Sequence, residues 1–251
     1  MTKFQSIQWP RIFAEGTAIV ASILLAFAIQ AWWEDRQQQV DERIVLQSLF
    51  DDLNEKKVAL AEDRIYVQAI FDSATKLLQV GTNEDLTLPA NEVDELLGDV
   101  FWYSSSASWE SAPMESLIVG GEMAVIKNAS LLQMLAVLQN SVSQLQNNYD
   151  ADKKFHYDSL APFLTSHANL PQIVAAIKHT PGRPESTYGF PELNVSNRRD
   201  HAELISRQDF QGLLVIKMDL MMDIFRTIKS QKLTEQLDET TATLAAELDN
   251  L

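Results

Sequence analysis

The chain has 251 residues and a formal net charge of −15, with eight glycines, eight prolines and no cysteine. The missing cysteines exclude a disulfide scaffold and a thiol nucleophile. An acidic excess of this size repels nucleic acid and anionic lipid, so no nucleic-acid partner is expected. Scarce Gly and Pro beside abundant Ala, Leu, Gln, Glu and Asp favour helix throughout, and an all-α fold is expected.

The first element is the run from Ile12 to Trp33, IFAEGTAIVASILLAFAIQAWW, 22 residues in which Glu15 is the only charge. At a rise of about 1.5 Å per residue such a helix covers about 33 Å, close to the thickness of a hydrocarbon core. Trp9, Trp32 and Trp33 bracket it where indoles favour the membrane interface, and Pro10 suits the first helical turn. The expected organisation is a short cytoplasmic or interfacial segment over 1–11, a transmembrane helix over 12–33 and an extracytoplasmic domain over 34–251. Residues 1–33 contain Lys3, Arg11 and Glu15, a net of +1, which leaves −16 on the remainder. Basic residues before the span and Glu34-Asp35 after it predict an inside N-terminus. In a bacterial inner membrane that places the domain in the periplasm. The competing expectation is a signal peptide cleaved after Ala26-Phe27-Ala28. The length of the span, Glu15 and the closing tryptophan pair speak against it.

Two features of the span carry interaction chemistry. Glu15 stands one turn from Arg11, which suits an i, i+4 pair near the interface or a contact to another membrane helix. Ala14, Ala18, Ser22 and Ala26 recur every fourth residue, a spacing that lets helix backbones approach closely in lipid. The ordinary alanine content of membrane helices would give a similar face. Expected partners are the lipid bilayer and other transmembrane helices, from a second copy or a larger membrane complex.

From residue 34 to about 79 one long helix is predicted, with Leu46, Leu53, Leu60, Val67 and Ala74 every seven residues, Leu49, Ile70 and Leu77 beside them, and Gly81 ending it. Residues 81–91 read as a turn. A short helix from Glu92 to about Tyr103 follows, then a serine-rich break, and Pro113 opens another short helix ending at Gly120-Gly121. Phe101, Trp102, Tyr103 and Trp109 cluster there, as an aromatic plug closing the bundle or as a partner or ligand surface. Asn128 is placed to cap a long helix over 129–166, bent near Pro162. Pro171 to Lys178 reads as a short helix and the Pro-, Gly- and Asn-rich stretch after it as a loop. The last helix is predicted from Ser206, with Asp209 completing a capping box. Its apolar face runs through Phe210, Leu213, Leu214, Leu220, Met221, Ile224, Phe225 and Ile228 and narrows to Leu233, Leu237, Leu244, Leu248 and Leu251. Three long helices then make an elongated bundle on a membrane stalk.

Several stretches together resemble a known family. They are Glu15-Gly16 opening the span, Trp32-Trp33-Glu34-Asp35-Arg36 closing it, MESLIVGGEMAVIKNASLLQML over 114–135 and ISRQDFQGLL over 205–214. The arrangement resembles an uncharacterised bacterial family of single-pass membrane proteins whose domain has no assigned function. The likeness covers most of the chain but is loose between these landmarks, and Met114 stands where that family often has a residue such as Tyr. The resemblance implies membrane anchoring and a helical extracytoplasmic domain. It supplies no catalytic residues.

His156, His167, His179 and His201 show no metal-ligand spacing and read as surface or loop residues. No nucleophile elbow, phosphate loop, dinucleotide fingerprint or EF-hand is present, so no catalytic residue, cofactor or metal is expected. The leading expectation is a membrane-anchored structural or interaction protein, a homo-oligomer or an accessory subunit of an inner-membrane complex. The alternative is a periplasmic helical sensor or ligand-binding module that signals through a partner membrane protein.

Overall fold

The structure is a computed structural model that describes residues 9–101, 113–114, 125–177, 195 and 197–250, with side chains described from Thr17 onward. All regular structure among these residues is helical. The elements are α1 (Trp9–Thr82), α2 (Ala90–Phe101), α3 (Ala129–Phe155), a π-helical turn (His156–Leu160), α4 (Ala161–His167), α5 (Leu170–Ala176), α6 (Ala202–Ile205), α7 (Gln208–Ser230) and α8 (Leu233–Asn250).

α1 is one unbroken helix of 74 residues. Its inner row follows the seven-residue spacing of the sequence: Leu46, Leu53, Leu60, Val67 and Ala74 are buried, with Leu49, Ile70 and Leu77 beside them. Side chains from Thr17 to Gln38 touch no core, and burial begins at Glu42 and Leu46. α1 ends at Thr82, one residue past Gly81. An added Cβ there would lie 2.0 Å from the Ile205 carbonyl oxygen, so this glycine serves close packing of α1 on α6. Gln211 Nε2 donates to the Gly81 carbonyl at 2.8 Å across the same junction.

α2 turns back along the distal part of α1, held by Ser73 Oγ donating to Asp99 at 2.9 Å and by the Lys76–Glu92 ion pair. α3 starts far down α1. Asn128 Oδ1 accepts from the Leu131 N–H at 3.0 Å, so the cap forms, and the Lys127 N–H donates to Glu42 Oε1 at 2.8 Å. α3 then rises parallel to α1: its Tyr149 hydroxyl donates to Asp63 at 3.0 Å. Ala161 N–H bonds the His156 carbonyl, five residues back. The π turn stands just before Pro162, which lacks an N–H and whose ring crowds the preceding turn, and α4 follows it directly.

α7 and α8 descend antiparallel to α1 and α3. Near the top α7 is tied to Gly81; near the base Asn128 Nδ2 donates to Glu247 on α8 at 2.6 Å. The expected capping box is not made. Ser206 instead closes α6, its hydroxyl donating to the Ala202 carbonyl at 3.1 Å, and α7 opens at Gln208 with Asp209 bound to Arg207. The last helix is also two helices, because Lys232 adopts φ 49°. The inner row needs this reset. Ile228 and Leu233 are five residues apart, and an unbroken helix would turn Leu233 roughly 140° away from the core. A lower core holds Leu46, Leu131, Leu138, Met221, Leu237 and Leu244, and a distal core holds Leu77, Leu97, Leu160, Ile173, Leu204 and Phe210.

Candidate functional site

Two regions carry chemistry the core does not absorb: the bare first third of α1 and two buried polar clusters.

In α1, Ile19, Val20, Ile23, Leu24, Leu25, Phe27, Ile29, Trp32 and Trp33 are 50–64% exposed, although nearly all are strongly apolar. This helix contains a window long and apolar enough to cross a membrane, and none of that window is buried in the molecule. Ala18, Ser22 and Ala26 are exposed on it. The Ser22 hydroxyl donates to the Ile19 carbonyl at 2.8 Å, so it satisfies itself within the helix. Ala14 and Glu15 lie in the helix, but their side chains, with Arg11's, fall outside the described set.

Between Trp33 and Glu42 runs a polar neck of single helix. Gln30 donates to Glu34 at 2.9 Å, Gln39 to Asp35 at 3.3 Å and Gln37 to Asp41 at 3.0 Å, each across one turn. Such pairs each add a few tenths of a kcal/mol, which is what an unsupported polar helix needs. The neck is about 12 Å long.

The first buried cluster joins α3 and α7. Lys217 Nζ lies 2.6 Å from Asp152 Oδ1, and both side chains are fully buried. Burial pushes the Lys217 ammonium below its ordinary pKa, with the Asp152 charge opposing. One turn on, His156 is 4% exposed, edge-on to Phe101 at 5.2 Å. Burial and then the Lys217 charge push its pKa down, so the imidazole is held neutral.

The second joins α2, α5 and the chain before α6. His201 Nδ1 lies 2.6 Å from Asp94 Oδ1, and the Asn169 N–H donates to His201 Nε2 at 3.0 Å. Gln172 Nε2 donates to Asp94 Oδ2 at 2.7 Å and to the Arg199 carbonyl at 2.9 Å, while its Oε1 accepts from the Arg199 N–H at 2.7 Å. An Asp–His pair suggests general-base chemistry, but here the second ring nitrogen already accepts a backbone N–H and cannot take a substrate proton. The arrangement fixes a tautomer and pins the 197–201 strand of chain to α5.

The histidines are expected on the surface or in loops. His201 does stand in the chain before α6 but is buried, and His156 is buried in the π turn. His167 stacks on Phe163 at 4.4 Å, and His179 lies outside the described residues. Phe101 is 9% exposed and belongs to the distal core, so it offers little partner surface; Trp102, Tyr103 and Trp109 lie outside the described residues. Asp152 and Lys217 were legible in principle: each occupies a core row, Leu138-Leu145-Asp152 in α3 and Phe210-Leu214-Lys217-Met221 in α7.

A cleft of about 440 Å³ opens at the distal end, between Val80, Leu86, Leu88, Val93 and Ile205. Among the described residues no group of three or more His, Asp or Glu side chains could hold a metal ion. In comparisons with known proteins, no family model, no curated protein and no solved structure matches the chain.

Proposed function

We propose that the protein is a membrane-anchored interaction module: a single-pass inner-membrane protein with its N-terminus in the cytoplasm, whose periplasmic helical bundle is held upright for assembly with other membrane proteins. It is read as a structural or accessory protein with no catalytic role. The observation that carries the reading is the bare apolar helix from Thr17 to Trp33, continuous with a core helix of the bundle. Lipid suits that surface, and Ala18, Ser22 and Ala26 give it a side on which a second helix can lie close. The Asp94–His201 pair supports the non-catalytic part, because its hydrogen bonds are all engaged within the fold. Purification of the full-length protein in mild detergent, with native mass determination, tests the reading. A complex with itself or with another membrane protein is expected; a clean monomer at native concentration counts against it.

A second reading, a periplasmic sensor that signals through a partner membrane protein, draws on the distal cleft of about 440 Å³. A small ligand seated there, among Leu86, Leu88 and Val93 on one side and Thr82, Asn83 and Glu84 on the other, would bridge α1, α2 and α6. A thermal-shift screen of the detergent-solubilised protein tests it, and no shift across a broad panel would sink it.

A further inference from the structure

We propose that the partner is a second copy of this chain, docked in parallel along the outward face of α1. This deepens the interaction reading and rests on α1 spanning the membrane.

The inner row of α1 repeats every seven residues, so the opposite face keeps the same repeat. On that outer face Val40, Ile44, Val58 and Ile65 are 45–63% exposed, apolar side chains that touch no core. Ile44, Val58 and Ile65 share one heptad position, a, and Val40 and Ala61 share d. β-Branched residues at a favour two parallel strands. Asp51, Gln47 and Asn54 interrupt the seam, so it is weak alone. Confinement to a shared membrane raises the effective concentration and imposes the parallel orientation.

Charge is sorted along the two flanks. The e positions hold Glu34, Asp41, Glu55 and Glu62, all exposed; the g positions hold Arg36, Arg43, Lys57 and Arg64, of which the three arginines are exposed. Lys57 is 37% exposed and also reaches Asp238 on α8. A parallel two-fold pair brings each g residue against the e residue five positions on in the other copy. That sets Arg36 against Asp41 and Lys57 against Glu62, twice each. Arg43, Phe50 and Arg64 then face Ser48, Glu55 and Ala69, and no like charges meet across the flanks; Asp51, at a, is the one acid that faces its own copy. An antiparallel pair would set acid against acid and base against base, which excludes it. Downward, steps of three and four residues carry the same seam through Gln37, Trp33 and Gln30 to Ala26 and Ile23, with Ser22 beside it at g. One face of one helix thus serves both the span and the bundle.

The chain has no cysteine, so single replacements report proximity directly. Ile44→Cys and Ile65→Cys, introduced separately into the full-length protein in native membranes, should form disulfide-linked dimers on mild oxidation. Val215→Cys, on an exposed part of α7, should not. Arg36→Glu should slow crosslinking at position 44 about fivefold, and adding Asp41→Arg should restore it. Seam crosslinking no greater than at position 215, or indifference to Arg36→Glu, overturns the proposal. If the native mass still shows another protein bound, the interaction reading survives; if it shows a monomer, both fall.

Discussion

Lys217 Nζ sits 2.6 Å from Asp152 Oδ1 with no solvent on either side chain, in the middle of two rows of leucine and aromatic residues. A buried pair of this kind contributes little net stability, because desolvation offsets the attraction, yet half of it alone is costly. Asp152→Asn should therefore destabilise the bundle by about 3–5 kcal/mol. The double replacement Asp152→Leu with Lys217→Met should recover most of that loss. Urea unfolding of the three proteins checks the ordering.

Acid should loosen the same region. His156 has a folded-state pKa below its ordinary 6.5, from burial and the Lys217 charge. The unfolded chain therefore binds the proton more readily, and the stability tied to a neutral His156 is present above about pH 6.5 and lost as pH falls below it. The charged groups facing it are Lys217 and Asp152. His156→Phe should flatten the fall in melting temperature between pH 7 and pH 5.

Gly81 and Gly212 should respond in opposite directions to alanine. A Cβ at Gly81 would meet the Ile205 carbonyl carbon at 2.9 Å and its oxygen closer still, and backbone cannot swing aside. Gly81→Ala should cost about 2–4 kcal/mol and lower the melting temperature. At Gly212, inside α7, nothing lies within 4 Å of the added carbon. Gly212→Ala should stabilise by about 0.5–1 kcal/mol.

Lys232 adopts φ 49°, a conformation in which a side chain crowds its own carbonyl. Lys232→Gly should stabilise by about 0.5–1 kcal/mol, whereas Lys232→Val should destabilise by more than that, both read by chemical denaturation.

Periodicity made the helices readable. The seven-residue rows of α1, the Asn128 cap and the bare span all follow from patterns of apolar and capping residues. What stayed hidden depended on partners distant in sequence. Gly81 reads as a helix stop, and α1 does end beside it, but its packing against Ile205 is not visible in the sequence. Ser206 and Asp209 have the spacing of a capping box, but Arg207 takes the Asp209 carboxylate first. The break at Lys232 answers a five-residue step between Ile228 and Leu233, which is visible only once both are known to face α1. His201 is polar by type and buried by circumstance, because Asp94 and Asn169 together satisfy its ring.

The unsupported neck over residues 34–41 also acts as a phase setter. Its link to the rest of the fold is the exposed Lys127–Asp35 ion pair at 3.8 Å, too weak to absorb a slip, so its residue count fixes the azimuth of everything beyond it against the apolar stretch of α1. One inserted residue would turn everything beyond it by about 100°, while seven would return it to within about 20°. Insertions of one, four and seven residues would thus sample three rotational settings of everything beyond the neck against the apolar stretch of α1.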